Sequence, residues 1–227
     1  MNTHVSKYDV TKFDRPSVTV DLLLFTIEDE ELKLLLIKRK EWPFEGMWAL
    51  PGGFVQMDES LDQAAKRELR EESGVKNVFL EQLYTFGEPN RDPRTRVITV
   101  AYYALAASEE WNLKASTDAS EVGFFSVKEL PELAFDHKEI VEYGIDRLRS
   151  KLGYSNIAFG LVPEEFSLTN LQRVYEIILG KNIDKRNFRK KILSTGLLSP
   201  TTHKQMKGAH RPALLFKFSS RKLINID

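Results

Sequence analysis

The chain has 227 residues, of which 42% are hydrophobic and 29% are charged, and it contains no cysteine. The length exceeds that of a disulfide-stapled mini-protein, the apolar fraction is too high for a disordered polymer, and the absence of cysteine excludes disulfides, thiolate nucleophiles and iron–sulfur clusters. The polar N-terminal residues resemble no signal peptide, and no segment approaches the roughly 18 apolar residues of a membrane-spanning helix. We therefore expect a cytoplasmic protein without a membrane partner.

The net charge of zero conceals an uneven distribution along the chain. Residues 1–150 contain 19 Lys and Arg against 28 Asp and Glu, whereas residues 151–227 contain 14 against 5. Such a division predicts two domains with different partners, because acidic clusters hold metal ions and basic faces hold phosphates. Periodicity lapses around residues 153–160, so we place an N-terminal domain at 1–153 and a basic domain at 154–227.

In the N-terminal domain, β-prone apolar runs alternate with helical periodicity. The segment 46–53 is interrupted by Pro51 and a glycine pair, which indicates a loop, and Gly74 ends the first helix. This interleaving predicts an α/β or α+β domain. The predicted strands are 18–27, 32–37, 78–85, 97–106 and 122–127, and the predicted helices are 58–73 and 138–152.

Three glutamates of the first helix, Glu68, Glu71 and Glu72, are three and four residues apart, a spacing that puts them on one helix face. A solvated face of mixed charge is the ordinary interpretation of such a helix. Clustered carboxylate oxygens are also what Mg²⁺ or Mn²⁺ requires, because these hard cations are commonly shared between carboxylates and substrate phosphates.

The residues around these glutamates decide between the two interpretations. Five residues separate Gly53 from Glu59, and seven more precede Arg67-Glu68-Leu69, followed by Glu71-Glu72 and Gly74-Val75. This spacing matches every fixed position of the Nudix box, so the chain resembles the Nudix hydrolase superfamily. The resemblance implies an α/β/α sandwich with a mixed sheet and Mg²⁺-dependent or Mn²⁺-dependent cleavage of a nucleoside diphosphate derivative.

The resemblance also implies roles for single residues of the box. Glu68 and Glu72 are expected to bind the metal directly, and Glu71 to bind it or to hold the attacking water, so that Glu71 and Glu72 are catalytic. The Gly52 carbonyl is expected as a further metal ligand, while Gly53 lets the backbone approach closely. Glu59 and Arg67 are expected to form an ion pair that braces the loop against the helix.

Outside the box, the predictions rest on single residues and short segments instead of a complete motif. Members of the superfamily often take a general base from a distant loop; Glu109, Glu110 and Glu121 are candidates, with Glu121 slightly favoured among the three. For each of them the ordinary interpretation is an exposed, solvated glutamate. The segment 86–94 resembles the ADP-ribose-type branch, and its substrate phosphates are expected at Arg91, Arg94 and Arg96. The alternative is a basic loop neutralised by neighbouring acids. Trp42, Phe44 and Trp48 flank the glycine loop, either stacking on a base or packing internally, and His137 begins a helix within Phe135-Asp136-His137.

The basic domain has the outline of a winged helix-turn-helix. Ser167 and Asp184 are predicted N-caps of two helices that end at Gly180 and Gly196. Phe188, Ile192 and Leu193 are expected to face inward, the segment 199–208 is predicted to be turn-like, and Leu214, Phe216 and Phe218 alternate as one face of a strand. The predicted DNA contacts lie on the second helix and the wing: Lys185, Arg186, Arg189, Lys190, Lys204, Lys207 and Arg211.

A Nudix domain followed by this basic module resembles the Nudix-related transcriptional regulators. The resemblance implies a homodimer that senses a ligand such as ADP-ribose and binds double-stranded operator DNA. Many such regulators have an eroded box, whereas every carboxylate is retained here. A bifunctional hydrolase and regulator is therefore preferred to two alternatives: a dedicated hydrolase whose second domain only dimerises or covers the active site, and a non-catalytic sugar-sensing or ADP-ribose-sensing repressor.

Overall fold

The computed structural model describes residues 9–74, 78–107, 119–205 and 212–225. Within these residues no helix combines the length and apolar content that crossing a bilayer requires. Short 3₁₀ helices occupy Val10–Lys12 and Ile157–Leu161. The main elements, in chain order, are β1 (Ser17–Glu28), β2 (Glu31–Arg39), β3 (Trp48–Ala49), β4 (Gly52–Phe54), α1 (Leu61–Ser73), β5 (Phe79–Phe86), β6 (Val97–Leu105), β7 (Ala119–Ser126), α2 (His137–Tyr154), β8 (Phe166–Ser167), α3 (Leu168–Leu179), α4 (Lys185–Ser194), β9 (Leu198–Gln205) and β10 (Ala213–Phe218).

The first seven strands form one mixed sheet. Its main order is β3-β2-β1-β6-β5, with β4 added beside β1 and β7 beside β2. Only the β1–β6 pair among these described strands is parallel. Alternate residues of β1 face opposite sides: Leu22 packs with α1, and Leu23 packs with α2. The expected α/β/α sandwich is confirmed.

The basic segment forms the expected winged helix. Ser167 caps α3 by accepting a hydrogen bond from the Asn170 N–H, and Asp184 caps α4 in the same way. Gly180 ends α3 at φ 66°, a left-handed conformation that favours glycine. Strands β8, β10 and β9 form the adjoining three-stranded sheet.

Three local predictions were wrong. The segment 199–208 was expected to be turn-like, but its residues up to Gln205 belong to β9, because pairing with β10 satisfies their backbone groups. The glycine loop contains two short strands, β3 and β4. Leu193 is 47% exposed, because the inward face of α4 follows the four-residue spacing of Phe188 and Ile192.

A continuous apolar core joins the sandwich to the winged helix. Phe159, in the connecting 3₁₀ helix, contacts Phe79 of β5 and Phe218 of β10 at ring-centroid distances of 5.5 and 6.4 Å. The predicted boundary after residue 153 falls within the last turn of α2. Position 160 tolerates no larger side chain, since a Cβ there would approach the Leu105 Cβ to 2.6 Å.

Candidate functional site

A cavity of about 360 Å³ opens beside the parallel strand pair. It lies between β4, the polar face of α1, the loop before β6 and the first turn of α2. Glu68, Glu71 and Glu72 all line it, together with Gly52 and Gly53. The structure therefore brings the predicted metal ligands to one cavity.

The helix that carries these glutamates is fixed at both ends. A capping box between Ser60 and Gln63 begins α1, and left-handed Gly74 ends it at φ 68°. Glu68 and Glu72, one turn apart, are buried, whereas the Glu71 side chain is 53% exposed. Burial raises the pKa of Glu68 above its ordinary value, against the opposing hydrogen bond from Arg67.

Arg67 connects the loop to this helix. Its Nη2 donates to Glu59 Oε1 at 2.7 Å and to the Phe54 carbonyl at 3.2 Å, so the expected ion pair with Glu59 is present. Its Nη1 also reaches Glu68 and Glu71, at 2.5 and 3.4 Å. Hydrogen bonds to Glu59 are the main cause of the raised pKa of Arg67.

The two glycines lie where a side chain would not fit. A Cβ on Gly53 would collide with the carboxylate of Glu68, and one on Gly52 would collide with the Val20 carbonyl. The backbone of β4 thus lies directly against the acidic face of α1, as a cation shared between them would require.

The donor chemistry of this cavity fits a hard divalent cation, because carboxylate and carbonyl oxygens are its preferred ligands. Among the described residues, however, no three acidic or histidine side chains converge closely enough to share one ion. The reason is visible at Glu68 and Glu71, whose carboxylates turn towards Arg67. Binding a cation would require these side chains to turn from Arg67 while Glu59 retains it.

A buried ionic cluster at the floor of the cavity was not foreseen. Arg91, predicted to bind phosphate, donates to both carboxylate oxygens of Asp136 at 2.7 and 2.8 Å and to Asp21 at 3.3 Å. Arg91 lines the cavity, but its guanidinium group is already bound by these carboxylates. Burial acts to lower the pKa of Arg91, and the neighbouring Asp136 and Asp21 outweigh that effect, so the pKa is raised. Asp21 stands alone among apolar residues in the middle of β1, a signal that sequence reasoning could have used.

His137 completes this cluster. Its Nδ1 accepts the Leu50 N–H at 2.9 Å, and its Nε2 lies 3.7 Å from Asp21 Oδ1. Burial lowers the pKa of His137, so the imidazole stays neutral near pH 7. His137 is thus more than a residue at a helix start: it ties the beginning of α2 to the glycine loop.

The other predicted arginines differ in position. Arg94 lines the cavity, forms a two-point ion pair with Asp92, and lies over the ring of Phe54 at 5.2 Å. Burial acts to raise the pKa of Asp92, but the hydrogen bonds from Arg94 hold it below its ordinary value. Arg96 does not line the cavity; it donates to the carbonyls of Glu88 and Val97.

Glu121, the favoured base, is outside the cavity lining. It lies on β7, is 57% exposed and pairs with Lys38 at 2.8 Å. The other two candidates, Glu109 and Glu110, lie outside the described residues. Of the flanking aromatics, exposed Trp42 lines the cavity, while Trp48 packs edge-on against Phe125 at 4.5 Å.

The predicted DNA contacts differ in position and exposure. Lys185, Arg186 and Lys190 are exposed on α4. Arg189 is half-buried, and its Nη2 reaches the Thr169 hydroxyl at 3.4 Å, so it faces the start of α3. Residue 204 lies in β9, opposite Leu214; Lys207 and Arg211 fall outside the described residues.

Both parts of the chain match models of known protein families. Residues 16–144 match the NUDIX domain model, and residues 158–218 match the NrtR DNA-binding winged helix domain model. The chain is 35% identical, over 95% of its length and 87% of the relative's, to the ADPR responsive transcriptional repressor NtrR of Acinetobacter baylyi. It is 40% identical, over 66% of its length and 85% of the relative's, to an ADP-ribose pyrophosphatase of Methanocaldococcus jannaschii.

The fold agrees with these matches. The crystal structure of Shewanella oneidensis NrtR complexed with a 27mer DNA superposes with a TM-score of 0.79 and 38% identity, covering 88% of this chain and 93% of that one. The chain therefore belongs to the NrtR family, in which a Nudix domain is joined to a DNA-binding winged helix domain.

Proposed function

We propose that the protein is an ADP-ribose-responsive repressor that binds operator DNA through its winged helix and hydrolyses ADP-ribose in its Nudix domain. The observation that carries the proposal is that Glu68, Glu71 and Glu72 of α1 line one cavity together with the glycine backbone of β4. An ADP-ribose pyrophosphatase and an ADPR responsive repressor among the relatives support both activities.

In this proposal Glu68, Glu72 and the Gly52 carbonyl hold a Mg²⁺ or Mn²⁺ ion, and exposed Glu71 binds it or orients the attacking water. Such a cation neutralises diphosphate charge and makes water a better nucleophile. The ion pair between Arg67 and Glu59 fixes the loop against α1. Because Arg91 is engaged by Asp21 and Asp136, we assign it to shaping the cavity floor, and Arg94, at the rim, to contacting the substrate.

The test of hydrolysis is Glu72→Gln, which keeps the side-chain shape and removes the charge. Release of AMP and ribose 5-phosphate from ADP-ribose, with Mg²⁺ present, should fall at least about 100-fold, because a metal ligand is removed. Glu121→Gln is the matched control and should retain activity, since that carboxylate lies outside the cavity. Undiminished turnover in Glu72→Gln would remove α1 from the mechanism, and inactivity of Glu121→Gln would restore Glu121 as the base.

DNA binding is assigned to the exposed face of α4. Double replacement of Arg186 and Lys190 with Ala should weaken operator binding and reduce the slope of log affinity against log salt by about 1 for each phosphate that the protein no longer neutralises. Half-buried Arg189 should contribute less to that slope, so Arg189→Ala serves as comparison. An unchanged slope in the double variant would exclude α4 as the recognition helix.

Ligand response requires a path between the two activities, and α2 supplies one. It begins at the cavity with Asp136 and His137, and near its other end Arg149 donates to the Ile178 carbonyl of α3 at 3.1 Å. We propose that ligand binding shifts the winged helices of a homodimer so that their spacing no longer fits the DNA groove repeat. Operator affinity measured with and without saturating ADP-ribose tests this coupling. Equal affinities would refute the coupling, and no operator binding under either condition would favour a dedicated hydrolase.

A further inference from the structure

A second cavity, of about 370 Å³, lies where the end of α2 meets α3 and α4. It shares no lining residue with the acidic cavity. Its volume is within the range of roughly 300–1,000 Å³ typical of small-molecule sites. Its apolar walls are formed by Leu152, Tyr175, Leu179, Ile183, Phe188 and Ile192.

Tyr175 places a polar group among these apolar walls. Its ring packs edge-on against Phe188 at 5.2 Å, and the residue is only 8% exposed. Its hydroxyl forms no hydrogen bond with any other residue that the structure describes, and burial raises the pKa of Tyr175 to about 12. The hydroxyl is therefore free to donate to a ligand oxygen in the cavity.

The lining of this cavity carries positive charge. Lys191 and Arg149 are among the lining residues, whereas none of the lining residues is acidic. Arg149 already donates to the Ile178 carbonyl and pairs with Asp146, but Lys191 forms no ion pair within the described part of the chain. The charge therefore complements an anionic group on an otherwise apolar ligand.

We propose that this cavity binds a small aromatic carboxylate, with the ring between the apolar walls and the carboxylate directed to the Tyr175 hydroxyl and the Lys191 ammonium group. Because Asn187, Lys191 and Thr195 place one side of α4 in the cavity wall, an occupant would contact the helix that we assign to DNA binding. The site is independent of the acidic cavity and does not require ADP-ribose turnover.

Isothermal titration of the full-length protein with 2-naphthoate tests the proposal, and neutral 2-naphthol provides a ligand of the same ring system. We expect saturable binding of naphthoate, several-fold tighter than that of naphthol. Tyr175→Phe should weaken naphthoate binding about fivefold, since it removes one hydrogen bond and keeps the ring. Leu179→Trp should abolish binding by filling the cavity, whereas Leu193→Trp, on the exposed side of α4, should not.

Several results would overturn the inference. They are the absence of saturable binding up to 5 mM naphthoate (a ceiling roughly matching the weak affinity of fragments), equal binding by Leu179→Trp, and equal affinity for naphthoate and naphthol. Sedimentation of Leu179→Trp tests whether a second copy of the chain fills the cavity instead. A change of oligomeric state in this variant, together with no naphthoate binding by the parent protein, would assign the cavity to a second copy of the chain. Urea unfolding confirms that each variant is folded.

Discussion

At the scale of single residues, the neutral state of His137 follows from two contacts. The Leu50 N–H donates to Nδ1, so the ring proton must be on Nε2, facing Asp21. A second proton would displace the Leu50 hydrogen bond and place a charge in the buried floor of the cavity. The carboxylates Asp21 and Asp136 oppose this effect, but burial outweighs them, and the pKa of His137 is lowered.

This lowered pKa predicts a pH-dependent stability. The pKa of His137 in the unfolded chain is about 6.5. Below that pH the unfolded chain binds a proton that the folded chain excludes, so the free energy of unfolding decreases as the pH falls towards the lower pKa of the folded state. The decrease should approach about 1.4 kcal/mol for each pH unit within that window. Urea unfolding of the parent and of His137→Asn between pH 7 and 5.5 should show a shallower slope for the variant. His203→Asn, which alters an exposed imidazole, is the control; equal slopes for the parent and His137→Asn would contradict the prediction.

Arg67 supports a second prediction at this scale. Its planar group reaches Glu59 through two nitrogens and the Phe54 carbonyl through one of them, a geometry that a lysine cannot reproduce. Arg67→Lys should lower the free energy of unfolding by about 1–2 kcal/mol, since the contacts are only partly exposed. Arg70→Lys, on the exposed side of α1, should change it by less than about 0.5 kcal/mol. Equal effects in urea unfolding would show that Arg67 does not brace the loop.

The residues of the site differ in how far sequence could reveal them. Those of the box share a fixed local spacing, and one helix and one loop bring them together. Asp21, Arg91 and Asp136 are far apart in the chain and meet only because β1, the loop before β6 and the start of α2 converge. Glu121 is only slightly favoured among three candidate bases in the sequence, and its position on β7 opposite Lys38 depends on strand pairing, which the local sequence does not encode.

At the scale of elements, α2 packs closely on the sheet because it carries a glycine at the contact. A Cβ at Gly144 would approach Leu23 Cδ2 to 2.5 Å, whereas a Cβ at Gly153, on the same helix, meets nothing within 4 Å. Alanine improves helix propensity at either position by about 1 kcal/mol. Only at Gly144 does overpacking, which costs about 1–3 kcal/mol, oppose that gain.

The same substitution should therefore have opposite effects at the two positions. Gly153→Ala should stabilise the protein by about 0.5–1 kcal/mol, and Gly144→Ala should destabilise it by up to about 2 kcal/mol. Thermal unfolding of both variants beside the parent gives the comparison. Stabilisation by both would mean that α2 can move away from β1 at little cost.

Among the elements, helices were easier to predict than the wing. The ends of α3 and α4 follow from local caps, Ser167, Gly180 and Asp184, which act over three or four residues. Strand β9 has a polar sequence and is a strand because β10 pairs with it, including an irregular register between Leu214 and Phe216. Non-local pairing of this kind leaves little trace in local periodicity.

At the scale of the whole molecule, opposite charge on the two parts coexists with one shared core. An exposed ion pair joins Arg173 of α3 to Glu30 of the β1–β2 turn at 2.8 Å, and Arg221 donates to the Phe159 and Val162 carbonyls. The same junction also contains the apolar cluster that includes buried residues of both parts. Because apolar contacts join the sandwich to the winged helix, moving one part relative to the other is unfavourable.

A shared core predicts that sandwich and winged helix unfold together. Calorimetry should show one transition, and saturating ADP-ribose should shift all of it upwards, because a ligand of one part stabilises everything that unfolds with that part. Phe159→Ala removes the ring that touches both Phe79 and Phe218, at a cost of about 3–5 kcal/mol, and should lower the midpoint by roughly 10 °C. Exposed Phe13→Ala should leave it unchanged. Two separate transitions in the parent, with only one shifted by ADP-ribose, would show that the core does not couple the parts and that the ligand signal must cross by another route.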